Sequence, residues 1–418
     1  MRRGGSTIIG MLLCFLSGCG GSDSPPPAVV SEGPGGPRPV ADLTVYGSGQ
    51  GLTGDVIDAG PDAAQNMWVV TPDSLYVQQA GKTTFQRFTA ADGLHIQSFI
   101  DPSGKPATTN ITALAGGRAG EVFVGYFGYE SDDRWADFGD PRRALGQADR
   151  VTLNGDGTLQ ILRYKFQCDN IPRCWENRSV RRMVFAHQGI AEGHLFIGGD
   201  HGVIHVYHDT FGDHVHVETI WLLANGGNVL KIGEEYGLAV LPSGDLLTAS
   251  GYGVGVQSWN PAPKAWVNES FVWAFTTHGP AEPYNNGKHD LLVPEGYRED
   301  NRGAAVTPDG TAWWVSLRTG LSSYNPVTAG GNFDLIHTWD NIPRLPTSGL
   351  LDVASDPDGT LWIVDNNGRL LRFDPSTSTV QVWPGVSNAH RVVMDTTVIP
   401  RALYVSMGVN GLAVIRAK

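Results

Sequence analysis

The chain has 418 residues, of which only 17% are charged while 54 are glycine, and its formal net charge is −12. That balance excludes nucleic acid and an anionic membrane surface as electrostatic partners, and it suits strands joined by tight turns. At ~150 residues per domain the length would suggest about three domains, but an internal repeat overrides that prior.

Residues 1–24 read as a targeting segment. Arg2 and Arg3 give it a positive start, and residues 8–16 are apolar but too short to span a bilayer. Leu16-Ser17-Gly18-Cys19 resembles the lipobox of bacterial lipoproteins. The resemblance implies a signal peptide over 1–19, lipidation at Cys19 and anchoring to a membrane through the lipid. Gly20 in place of an acidic residue implies sorting to the outer membrane of the cell envelope, on its periplasmic or surface side. The alternative is an ordinary secretory signal in which Cys19 is incidental. Residues 20–39 are rich in Gly, Pro and Ser with almost nothing to bury, which makes them a tether.

From residue 40 to 418 one grammar recurs, most clearly at 349–384. There four short strands are expected: a at 350–355, b at 361–364, c at 370–373 and d at 380–383. The turns between them use Asp356-Pro357-Asp358-Gly359, Asn366-Asn367-Gly368 and Asp374-Pro375, residues that cap their own backbone, tolerate positive φ or fix φ. Strand b returns at 66–70, 121–125, 194–198, 245–249, 311–315, 360–364 and 402–406, and strand c after each. Seven copies of one strand mean seven units, or six if the poorly matched second unit is not one. The last unit stops at 411–416 without a strand d, and 43–52 aligns with the d strand and Gly-Leu at 85–94. A d-type strand placed before the first unit has only the last unit to pair with. The expected fold is therefore an all-β, seven-bladed β-propeller of four-stranded antiparallel blades, fastened by its N-terminal strand.

The pattern of Gly-Leu, an Asp-x-x-Gly turn, Leu-Trp-Ile and a later Gly-Leu before an aromatic resembles the two-component-regulator propeller repeat, best at 349–373 and less well at 301–324 and 51–77. More distantly it resembles lyases of the virginiamycin B type. Such repeats occur in periplasmic sensors, lyases and plain scaffolds, so the resemblance implies architecture more than activity. No kinase or DNA-binding segment follows the repeats, so a signalling role is not expected.

Cys168 and Cys174 are spaced to close a small loop in an oxidising compartment, so a disulfide is expected, against a free pair or a metal site. The longest connections run from d to a and from b to c, including 129–147 and 276–303, and the a-to-b turns are short. This asymmetry nominates the d-to-a face for function, unless insertions simply land where packing permits. The loop 276–303, with His278, His289, Asp290, Tyr297, Arg298 and Glu299, is the leading lid or contact segment.

Near the channel on that face fall Arg178, Glu235, Asn301, Arg302, His390 and Arg391 at the starts of a strands. The b-to-c turns add Asp200, His201, Tyr252, Arg318, Asp365 and Asn366. Such a mixture suits a small polar or anionic ligand or a peptide end, although each residue could instead satisfy a turn or pair with a neighbour. His214, His216 and Glu218 alternate along one strand and could hold a metal, but an outermost strand with polar alternation also reads as a solvated edge, and no metal is expected. No cofactor motif, GxSxG elbow, P-loop or HExxH is present, and no cofactor is expected. The expected protein is a monomeric module binding a protein or small ligand. The alternative is a lyase or hydrolase with its site in the axial funnel.

Overall fold

The computed structural model describes residues 42–100, 104–128, 146–166, 179–199, 202–210, 212–219, 221–223, 229–231, 234–251, 253–260, 265–275, 300–329 and 336–416. The described strands make seven four-stranded antiparallel sheets. Blade 1 is Asp58–Pro61, Met67–Thr71, Ser74–Gln78 and Gln86–Phe88. Blade 2 is Ile111–Gly116, Glu121–Tyr126, Ala148–Leu153 and Leu159–Tyr164. Blade 3 is Arg182–Phe185, Leu195–Gly198, Gly202–Asp209 and Gly212–Thr219. Blade 4 is Glu235–Val240, Leu246–Ser250, Val254–Asn260 and Ala265–Phe275. Blade 5 is Asn301–Val306, Ala312–Ser316, Gly320–Tyr324 and His337–Thr338. Blade 6 is Leu350–Ser355, Leu361–Asp365, Leu370–Asp374 and Thr379–Val382. Blade 7 takes Arg391–Asp395, Ala402–Ser406 and Leu412–Arg416 from the end of the chain and Asp42–Tyr46 from its start. Each a strand touches the a strand of the next blade, and that of blade 7 touches that of blade 1, so the ring is closed. The protein is a seven-bladed β-propeller, and the second unit is a regular blade.

The repeat grammar has a local cause. Asp356 opens the a-to-b turn of blade 6, and its Oδ2 accepts the indole N–H of Trp362 at 3.1 Å. Asp62 does the same for Trp68 at 2.9 Å in blade 1. In blade 5 Thr307 takes the role, its hydroxyl accepting from Trp313 at 3.0 Å. The turn residue thus satisfies the one polar atom of a tryptophan that is otherwise buried in the blade. This is why turn and strand b recur as a unit.

Closure is by the expected pairing of the N-terminal strand with the last unit, with Leu43 opposite Ile415 and Tyr46 opposite Leu412. After the closing strand and after the d strand of blade 1 comes a short 3-10 turn, Ser48–Gln50 and Ala90–Asp92, and then a buried leucine, Leu52 or Leu94. That shared ending explains why the two segments align. The apolar core lies between blades: Val364, Leu370, Val392 and Leu403 form one cluster across blades 6 and 7, and Val56, Val69, Tyr404 and Val414 another across blades 7 and 1. Fully burying such side chains is worth roughly 1.5–3 kcal/mol each, so a blade is stable through its neighbours.

Among the described residues two d-to-a connections carry hairpins of their own, Ser98–Ile100 with Pro106–Thr108 and Trp221–Leu223 with Val229–Lys231. One a-to-b turn departs from the expectation of shortness: blade 3 places 186–194 between its first two strands. Cys19, Cys168 and Cys174 lie outside the described residues, as do 129–145 and 276–299.

Candidate functional site

The a strands line the axis. In every blade one of their residues stands four positions before the residue that opens the a-to-b turn: Asp58, Ala113, Arg182, Gly237, Gly303, Asp352 and Arg391. Two acids and two bases share this ring with three small residues, and they find each other. Arg182 Nη1 donates to Asp352 Oδ2 at 2.8 Å, linking blade 3 to blade 6. Arg391 Nη1 donates to Asp58 Oδ2 at 2.6 Å, and its Nη2 to the carbonyl of Arg181 in blade 3 at 3.2 Å. Blade 3 stands across a seven-membered ring from blades 6 and 7, so the Arg182–Asp352 and Arg391–Arg181 bonds cross the axis, while Arg391–Asp58 joins the neighbouring blades 7 and 1.

The carboxylates also join neighbouring blades. Asp58 accepts from its own neighbour Ala59 N and from Leu114 N of blade 2, both at 3.0 Å. Asp352 accepts from Val353 N at 2.9 Å and from Val392 N of blade 7 at 3.0 Å. Each carboxylate therefore takes three hydrogen bonds. Burial opposes the charge on Arg182, but Asp352 and Asp58 outweigh it and hold the guanidinium pKa above its ordinary value. Blades 4 and 5 contribute glycine because they approach closely: a Cβ on Gly303 would stand 2.6 Å from Asp352 Oδ1, and one on Gly237 2.7 Å from the Gly303 carbonyl carbon.

Toward the d-to-a face, the bulged residues just before this ring bring Arg302 to 4.1 Å over the Tyr236 ring, with Arg181 5.8 Å from the same ring. Of the expected site residues, Glu235 and Asn301 begin the a strands of blades 4 and 5 and are fully buried. The equivalent positions elsewhere are apolar: Val56, Ile111, Val180, Leu350 and Ala389. Among the described residues neither oxygen of Glu235 has a hydrogen-bond partner. Burial, and then the charge of Glu234, pushes its pKa well up. Burial lowers that of His390, helped by Arg391, and among the described residues His390 Nε2 also has no hydrogen-bond partner.

The b-to-c residues are largely spent on their own turns. Asp365 accepts from Asn367 N at 3.0 Å and Arg369 Nε at 2.7 Å, and Arg318 Nε donates to Asp300 at 2.8 Å. Exposed Asn366 donates its backbone N–H to Gly349. Arg178, Asp200, His201 and Tyr252 lie outside the described residues. A His–carboxylate contact, His95 Nδ1 to Asp149 Oδ2 at 2.8 Å, sits out on blade 2, and Asp149 already accepts the Tyr126 hydroxyl at 2.7 Å and Arg163 at 3.2 Å.

Toward the opposite face the channel widens into a chamber of about 960 Å³. Small aliphatic residues of the a strands leave this space, Ala59, Ala115, Ala239, Ala305 and Ala354 among them, with Arg182 at its inner end. His187, Thr307, Ser355 and Asp395 line it near the a-to-b turns. Loop length pointed to the other face, and inner-strand side-chain size is the signal that finds this chamber. The histidines near blade 3 have a packing role: His205 stacks on Phe196 at 5.0 Å and on His194 at 4.9 Å, and His214 on Tyr207 at 4.9 Å. Among the described residues no three His, Cys, Asp or Glu side chains are grouped to hold a metal; the side chains of His216 and Glu218 are outside that description.

A closed ring of seven blades around an ion-paired channel defines a rigid propeller. No family model and no curated protein matches the sequence. Among solved structures the chain is similar to YCF48 bound to D1 peptide, at 14% identity and a TM-score of 0.51, over 90% of this chain and 95% of that one. It is also similar to the extracellular domain of a hybrid two-component system from B. thetaiotaomicron, at 14% identity and a TM-score of 0.51, over 89% of this chain and 40% of that one. The chain thus spans less than half of the second protein, and both likenesses are likenesses of fold.

Proposed function

We propose that this chain is an exported, lipid-anchored binding module of the cell envelope, monomeric, holding a protein or a small polar ligand on its d-to-a face. The observation that carries this reading is the ion-paired ring of a-strand residues around the axis. A general acid or base needs lone pairs and protons free to reach substrate, whereas Asp58 and Asp352 are each committed to three donors. That arrangement favours a scaffold over an axial lyase or hydrolase. The Arg302–Tyr236 stack supports recognition of a carboxylate or peptide end, because a guanidinium braced on an aromatic ring presents its donors in a fixed plane. The likeness to YCF48, solved with a bound peptide, supports the peptide branch.

The test is quantitative cross-linking of a soluble form starting at Val40 against envelope extract, beside the same form carrying Arg302→Glu and Arg318→Glu. A partner retained by the first and lost by the second is expected; equal recovery by both would remove the d-to-a face from the reading. Export and anchoring are tested separately, by metabolic labelling with a fatty acid that Cys19→Ser should abolish.

A further inference from the structure

Blades 1 and 6 open their a-to-b turns with an aspartate whose Oδ2 is satisfied by a tryptophan of strand b. Blade 7 has the aspartate without the tryptophan. Asp395 occupies the same position, four residues after Arg391 as Asp62 and Asp356 follow Asp58 and Asp352. Tyr404 stands where the tryptophan would be, opposite Val393 as Trp68 is opposite Gly60 and Trp362 opposite Ala354. Asp395 Oδ1 is used, accepting from Thr397 N at 2.8 Å and Thr397 Oγ1 at 2.6 Å. Among the described residues Oδ2 has no hydrogen-bond partner, although Asp395 is only 5% exposed.

A buried carboxylate oxygen left without a donor is costly, and nearby cations do not relieve it. Arg401, one residue before strand b, gives its Nη2 to Asp356 at 2.7 Å and Asp358 at 3.1 Å. Arg182 belongs to Asp352. His187 faces the same chamber, but burial outweighs the pull of Asp395 and Asp62 and favours its neutral form. The walls are aliphatic, and a mainly apolar space of this size with few polar groups is the usual form of a small-molecule site.

We propose that the chamber on the a-to-b face binds a small molecule with an apolar body and one protonated amine, the ammonium donating to Asp395 Oδ2 and the body lying against the aliphatic inner strands. An ammonium is preferred over a neutral donor because it supplies both the missing hydrogen bond and the missing countercharge. This site is independent of any partner held at the d-to-a face.

The test is calorimetric titration of the full chain with octylamine, phenethylamine and tryptamine, with octan-1-ol as the neutral match. Saturable binding of one amine per chain is expected, tighter than the alcohol, and weakened at least tenfold by Asp395→Asn. Tyr404→Trp is the second variant, since it offers Asp395 the indole that blades 1 and 6 use. It should fold with an unchanged circular dichroism spectrum and weaken the same amine at least tenfold. Failure of all three amines to bind, equal binding of the alcohol, or binding that survives both substitutions would overturn the proposal.

Discussion

Arg182 and Asp352 are 170 residues apart in the chain, and 2.8 Å separates their side chains across the propeller axis. Both are almost fully buried. Removing one partner of such a pair strands the other's charge in a medium that cannot solvate it. Arg182→Met and Asp352→Asn should each cost about 3–5 kcal/mol. The double variant should cost less than the sum of the two, because neither charge is then left alone. Urea denaturation of the three variants measures this, and strict additivity would show that the residues do not act as a pair.

Glu235 should make the protein less stable as pH rises. Its folded pKa lies above the ordinary carboxylate range, so above about pH 4.3 the unfolded chain releases a proton that the folded chain keeps. Stability then falls by up to about 1.4 kcal/mol per pH unit until the folded group also ionises. Glu235→Gln removes that slope. The variant should melt above the wild type at pH 7 to 8 and lose its advantage toward pH 4, a comparison that cancels the opposite effect of buried His187 and His390. A constant difference in melting temperature across that range would refute it.

The fastening of blade 7 should be breakable at one atom. Gly411 has φ 87°, and a Cβ there would run into the Tyr46 carbonyl oxygen at the end of the closing strand. Gly411→Ala should cost at least roughly 1–3 kcal/mol from backbone strain. A chain beginning at Ser48 should do worse, leaving Leu412–Arg416 as an open sheet edge and forming aggregates on size-exclusion chromatography. A chain beginning at Asp42 keeps the strand and should stay monomeric.

Asp62 and Asp395 share a position but should differ in worth. Asp62 accepts from Ala64 N, Asn66 N, the Trp68 indole and Gly120 N of blade 2. Asp62→Ala leaves the buried indole unpaired and should cost roughly 2–4 kcal/mol. Among the described residues Asp395→Ala loses only the hydrogen bonds to Thr397 and relieves a buried oxygen without a donor, so in the same urea assay its effect should be near zero.

Much of the ring was legible because its signals are local. The Asp356–Trp362 bond spans six residues, so each turn and its strand b travel together along the sequence, and the terminal strand shows itself by sharing an ending with 85–94. The site was harder to read because its bonds are remote: Arg391 and Asp58 are 333 residues apart. Glu235, Asn301, His390 and Arg391 were placed near the axis by alignment alone, but Asp58, Arg182 and Asp352 were missed one step further along their strands. The recurring spacing of Asp58 with Asp62, Asp352 with Asp356 and Arg391 with Asp395 was the available clue. The chamber on the a-to-b face was missed for a different reason: long loops draw attention, whereas this space is made by what the inner strands lack in bulk.

Because Asp42–Tyr46 pairs with Leu412–Arg416, the first strand of the ring to leave the ribosome is among the last to find its place. At 5–20 residues per second it waits roughly 20–70 s for its mate to be made. Until the two meet, the nascent polypeptide has no finished circle to settle into, and the edge left by Leu412–Arg416 has no mate.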